Sequence, residues 1–155
     1  MTDAAIGAYT AATVLACLGA AGVAEEALAK GWWITLLIGL GFGALAAVTG
    51  LLDWLSISRG TPLWRTATTH MVVMVTATLL FAAAAVAGYG GYDDGEVGSV
   101  ALVLVLCGFV ALTAGGWLGG SIVFVHGMRV LSLADEPARE AMTPVGEEKK
   151  RAEAA

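Results

Sequence analysis

The sequence predicts an all-α integral membrane protein, a bundle of four transmembrane helices with both termini in the cytoplasm. Three observations carry this expectation. Of 155 residues, 58% are hydrophobic and only 14% charged, whereas a soluble domain carries about a quarter charged residues. The charges leave four uncharged runs, residues 4–24, 31–52, 66–92 and 97–128. Each is long enough to cross a hydrocarbon layer of about 30 Å as a helix of about 20 residues. Four crossings put both termini and the second connection on one side, and that side holds seven of the eight Lys and Arg residues. Basic residues accumulate on cytoplasmic loops, which sets the orientation. The composition excludes a soluble enzyme and a disordered chain. The formal charge of -5 leaves no basic surface for phosphates, which excludes a nucleic-acid binder.

The first run is rich in Ala and Gly. Its Val14-Leu15-Ala16-Cys17 has the look of a lipoprotein cleavage box. A signal peptide opens with basic residues, and this run is preceded only by Asp3, so it reads as a retained helix. Glu25, Glu26 and Lys30 form the first connection. On the second run Gly39, Gly43, Ala46 and Gly50 are spaced four, three and four apart, which puts them on one helical face. Lipid gives helices no hydrophobic reason to associate. A small-residue stripe that lets backbones approach is therefore read as a packing surface.

The second run ends at Asp53-Trp54. Arg59 and Arg65 then flank a Gly60-Thr61-Pro62 turn. The third run carries His70 about one turn inside its start. The outward connection that follows holds Asp93, Asp94 and Glu96. The fourth run has 32 uncharged residues and would rise about 48 Å if straight. It is expected to bend near its Gly115-x-x-x-Gly119 and Gly116-x-x-x-Gly120 pairs or to project inward. Trp32, Trp33, Tyr89 and Tyr92 fit an outer aromatic belt, and Trp54 and Trp64 an inner one. Residues 1–131 form the transmembrane domain. Residues 132–155 are read as a polar, partly disordered cytoplasmic tail, in which Glu147, Glu148 and Glu153 dilute Lys149-Lys150-Arg151.

Ionisable residues at a membrane edge are the candidates for function. Here they are Asp53, Arg59, Arg65, His70, His126 and Arg129, all expected at the cytoplasmic end. Trp54, Gly60 and Thr61 belong to the same cluster. Two readings compete. In one the cluster is architectural: Asp53 pairs with Arg59 or Arg65 or with amides of the turn, and Arg129 caps its own helix. In the other the bundle holds haem b, whose iron takes two imidazoles from facing helices. The two histidines of the chain would be those axial ligands. Arg59, Arg65 and Arg129 would neutralise the propionates, and Gly115 and Gly119, on the face of His126, would leave room for the ring; in the architectural reading these two glycines are a packing stripe like that of Gly39, Gly43 and Gly50. Cys17 and Cys107 make no C-x-x-C motif, and a structural zinc site wants four protein ligands.

These residues also carry a resemblance. Gly50-Leu51-Leu52-Asp53-Trp54-Leu55-Ser56-Ile57-Ser58-Arg59-Gly60-Thr61, then Trp64-Arg65 and His70, and later Gly115-Gly116-Trp117-Leu118-Gly119-Gly120 with His126-Gly127, resemble a bacterial membrane family catalogued as domain of unknown function 2231. The likeness spans about two-thirds of the chain. The family's His-Pro element ahead of the first span is missing here, and Met74 stands where Asn is common. The resemblance implies a compact four-helix membrane domain. Some relatives look fused to Rieske-type or cytochrome domains, which hints at electron transfer, although no Cys-x-His box is present.

The expected function is a multi-pass protein of the cytoplasmic membrane that serves as a scaffold or accessory subunit, with a redox complex among the candidates. It is not expected to be an enzyme on its own. The alternative is the haem b electron-transfer module. A transporter is disfavoured because no charged residue lies at mid-membrane. The bilayer is the expected partner, with a membrane-complex partner or a second copy left open and nucleic acid excluded.

Overall fold

The computed structural model describes residues 2–128. The chain forms α1 (Thr2–Ala20), α2 (Glu25–Leu55), α3 (Pro62–Ala87), a short α4 (Tyr89–Asp94) and α5 (Ser99–Phe124), with no strand among the described residues. The helices α1, α2, α3 and α5 are each long and apolar enough to cross a membrane. The all-α architecture read from the sequence is therefore the observed one. Arg129 and the tail from residue 132 lie outside the described residues.

Some boundaries differ from expectation. Helix α2 starts at Glu25, so Glu25, Glu26 and Lys30 are helical rather than a connection. Acids in a first turn are favoured by the N-terminal end of the helix dipole. Lys30 Nζ donates to Glu26 Oε1 at 2.6 Å, one turn away. The fourth run neither bends into two helices nor runs straight through. Val97 and Gly98 precede α5, and the helix stops at Phe124 after 26 residues.

The bundle is built from two antiparallel hairpins, α1 with α2 and α3 with α5. Their buried positions follow a four-three spacing. On α1 these are Ala5, Tyr9, Ala12, Ala16 and Gly19; on α5 they are Ala101, Val105, Gly108, Leu112 and Gly115. That spacing keeps one seam facing the partner, so large residues can enter holes made by small ones. Phe81 lies over Gly108, where a Cβ would come within 3.1 Å of its ring. Met74 lies against Gly115, Trp32 against Gly88 and Tyr9 against Gly39 and Gly43.

The hairpins are joined at mid-bundle by Tyr9 and Phe81. Their rings stack with centroids 4.2 Å apart and planes 4° from parallel. Both are fully enclosed, and a stacked aromatic pair contributes about 0.5–1.5 kcal/mol beyond area burial. The Tyr9 hydroxyl points towards Thr78 but meets no atom with full hydrogen-bond geometry. Near the acidic end, Trp33 Nε1 donates to Ala85 O at 2.8 Å, tying α2 to α3.

The expected packing stripe on α2 is only half used. Gly39 and Gly43 receive Tyr9, whereas Gly50 meets nothing within 4 Å. Ala8 and Tyr9 lie against Gly39 and α1 begins at Thr2, so the two turns of α1 beyond Tyr9 end near Ala46 of the antiparallel α2, short of Gly50. On α5 the pair Gly115 and Gly119 is packed, and Gly116 faces open space.

Candidate functional site

Three pieces of chain meet at the end of the bundle that carries Arg59 and Arg65: the end of α2, the start of α3 and the end of α5. Helix α2 closes with Asp53-Trp54. The Asp53 carbonyl accepts from the Ser56 amide at 3.1 Å and from the Ser56 hydroxyl at 2.6 Å, which satisfies a carbonyl that the ended helix leaves free. Gly60, at φ 82, turns the chain back; a residue with a Cβ would be strained there. Thr61 then caps α3: its Oγ1 accepts from the Trp64 amide at 3.1 Å and donates to Ser58 O at 2.9 Å. Pro62 follows at the first helical position, where a missing N–H costs nothing.

Trp54 clamps this turn to α3. Its Nε1–H donates to Thr68 Oγ1 at 2.9 Å, and Thr68 passes its own proton to Trp64 O at 2.7 Å. The rings of Trp54 and Trp64 lie 6.1 Å apart and tilted. Arg59 and Arg65 are exposed on the same end.

The histidines hold the seam between α3 and α5. His70 Nδ1 lies 2.8 Å from Gly115 O. A carbonyl only accepts, so Nδ1 carries the proton and the neutral ring keeps its lone pair on Nε2. The imidazole lies over Gly119, where a Cβ would meet Cε1 at 3.1 Å. One turn earlier on α3, Thr66 Oγ1 is 3.1 Å from His126 Nε2 and 3.2 Å from Pro62 O. The hydroxyl can donate to one of these and accept from an Nε2–H, so Thr66 and His126 are bonded in either tautomer of the imidazole. Each imidazole is thus partnered on the facing helix, at successive turns of α3.

This arrangement bears on the haem alternative. Gly115 and Gly119 are read from the sequence as helix-packing positions, with room for a haem ring only in the alternative; Met74 and His70 occupy the space beside them that such a ring would need. Met74, in the place where the resembled family often has Asn, uses its length to fill the hole at Gly115. Among the described residues no group of three His, Cys, Asp or Glu side chains converges as a metal site. Cys17 and Cys107 are free and exposed.

Sequence reasoning missed Thr66 and Thr68. Both signals were present, since Thr66 lies four residues before His70 and Thr68 four after Trp64, each one helical turn away. The stack of Tyr9 on Phe81 had no comparable signal.

Nothing among curated proteins or solved structures matches the chain. The family model described as "Predicted membrane protein (DUF2231)" matches residues 3–132, which take in every residue of the turn, the clamp and the seam. The chain belongs to this family of membrane proteins.

Proposed function

We propose that the protein is a scaffold or accessory subunit of a complex in the cytoplasmic membrane, with the arginine-bearing end and both termini facing the cytoplasm. The observation that supports this reading is the engagement of both histidines. The residues with the most chemistry at this end hydrogen-bond across the bundle, His70 on α3 to Gly115 on α5 and His126, just past the end of α5, to Thr66 on α3. Polar side chains that bond across helices are a recognised means of holding a membrane bundle. Around the seam, Arg59 and Arg65 are exposed, where they can meet lipid phosphates or a partner.

The competing reading is a haem b electron-transfer module with His70 and His126 as axial ligands and Arg59, Arg65 and Arg129 at the propionates. It is favoured by the Nδ1–H bond of His70, because a ligating imidazole commonly donates its other N–H to a carbonyl. It requires His126 to leave Thr66 and the ring of His70 to leave Gly119. Visible spectra of the purified protein, oxidised and reduced, separate the two. The scaffold reading expects no haem bands and a lower melting temperature for His70→Ala. Bands present in the parent and lost in both His70→Ala and His126→Ala would replace it with the haem reading.

A further inference from the structure

The acidic end of the bundle has a feature that the scaffold reading does not use. A shallow, open groove of about 310 Å³ lies sideways between α2 and α3, lined by Trp33, Leu37, Ala85, Val86 and Tyr89. A groove this open covers one side of a ligand and leaves the other to the surrounding lipid. Its lining is apolar except for the Tyr89 hydroxyl, so it suits part of one hydrocarbon chain.

The walls are held in place. Trp33 spends its only donor on Ala85 O at 2.8 Å and therefore offers the groove ring surface alone. Its ring also lies 5.0 Å from that of Tyr92 and 5.8 Å from that of Tyr89. Glu26, Lys30, Trp33 and Leu37 are spaced four, three and four apart, so they descend one face of α2 from charged to apolar. Lys30 is paired with Glu26 and also lies near Tyr92 and Asp93. The groove thus sits below a rim that carries one ammonium, two carboxylates and two phenol rings.

A rim of both signs selects its ligand. A lipid phosphate can accept from Lys30, and a lipid ammonium can meet Asp93 or the face of Tyr92. An anionic headgroup has the first partner but no cation to offer the carboxylates, and it is repelled by Glu26 and Asp93. Ordinary belt aromatics need no concavity beneath them; this one is closed on its inner side by Ala85, which is buried.

We propose that this groove binds one glycerophospholipid with an ammonium headgroup, an acyl chain seated between Trp33, Leu37, Val86 and Tyr89 and the zwitterionic head on Lys30 and Asp93. The site requires only that this end lie at a membrane–water boundary.

Native mass spectrometry of the detergent-solubilised full chain tests it, with phosphatidylethanolamine and phosphatidylglycerol of identical acyl chains. We expect a single phosphatidylethanolamine adduct, favoured over phosphatidylglycerol about threefold or more, the scale of one exposed charge pair. Leu37→Trp should fill the groove and remove the adduct, while Leu45→Trp, on exposed surface of the same helix, should keep it. Asp93→Asn, also exposed, should leave folding intact and bring the two lipids to parity. Equal binding of the two lipids to the parent, or an adduct that survives in a folded Leu37→Trp, would overturn the proposal.

Discussion

His70 on α3 donates its Nδ1–H to the main-chain oxygen of Gly115 on α5 across 2.8 Å. Carbonyls inside a helix are normally shielded by the side chains around them. Here Gly115 and Gly119 remove that shield, and the imidazole lies in the gap. Residue types as different as His and Gly thus form one device, and neither half works without the other.

His70→Ala should therefore cost more than a hydrogen bond. Interhelical hydrogen bonds in membranes average about 0.6 kcal/mol, and an unfilled hole adds a cavity penalty that brings the total to about 2 kcal/mol. Thermal unfolding in detergent should show the loss, with His70→Gln falling between. A His70→Ala protein that melts like the parent would remove the seam from the account.

Gly43 and Gly50 should behave oppositely although both are exposed to the same helix propensity. A Cβ on Gly43 would lie 2.6 Å from the Tyr9 hydroxyl oxygen, and one on Gly50 would meet nothing. Gly43→Leu should destabilise by about 1–3 kcal/mol through overpacking, and Gly119→Leu likewise. Gly50→Ala should be neutral or stabilise by up to about 1 kcal/mol. Equal melting shifts at the two positions would show that α1 does not pack on Gly43.

Ala24 precedes α2 at φ 44 and ψ 47, the left-handed region. An L-residue there costs about 1–2 kcal/mol. Ala24→Gly should relieve part of that cost and raise the melting temperature by a few degrees, whereas Ala24→Val should lower it.

Orientation is checked by labelling. Cys17 and Cys107 are exposed on the bundle surface, so a double Cys→Ala background should fold normally. In that background Asp94→Cys should react with an impermeant thiol reagent added outside intact cells, and Ser58→Cys should react only after permeabilisation. The reverse pattern would invert the topology.

Much of the fold was legible because long uncharged runs admit few structures in lipid. The four spans and the turn at Gly60 follow from charge and Gly-Thr-Pro chemistry alone. The faces of the helices were harder to read. Membrane helices are apolar all round, so the periodicity that marks the inner face of a soluble helix is faint. Gly39, Gly43 and Gly50 look alike in sequence, yet only the first two are packed, because α1 ends before it reaches the third. The polar candidates separated for a similar reason. His70 sits on α3, whereas His126, expected on the fourth span, lies in the turn just past α5, and what fills Gly115 and Gly119 depends on the antiparallel register of α3 and α5. That register is set by Phe81 on Gly108 as much as by any polar residue.

Helix α2 has 31 residues and its antiparallel neighbour α1 has 19. At 1.5 Å per residue they differ by about 18 Å in length. The extra length is not apolar: Glu25, Glu26 and Lys30 open α2 and Asp53 lies near its end, while the uncharged runs 4–24 and 31–52 span 21 and 22 residues. The two helices therefore match one hydrocarbon thickness, and the surplus turns of α2 stand out of it at both ends, as charged posts at the level of the lipid headgroups.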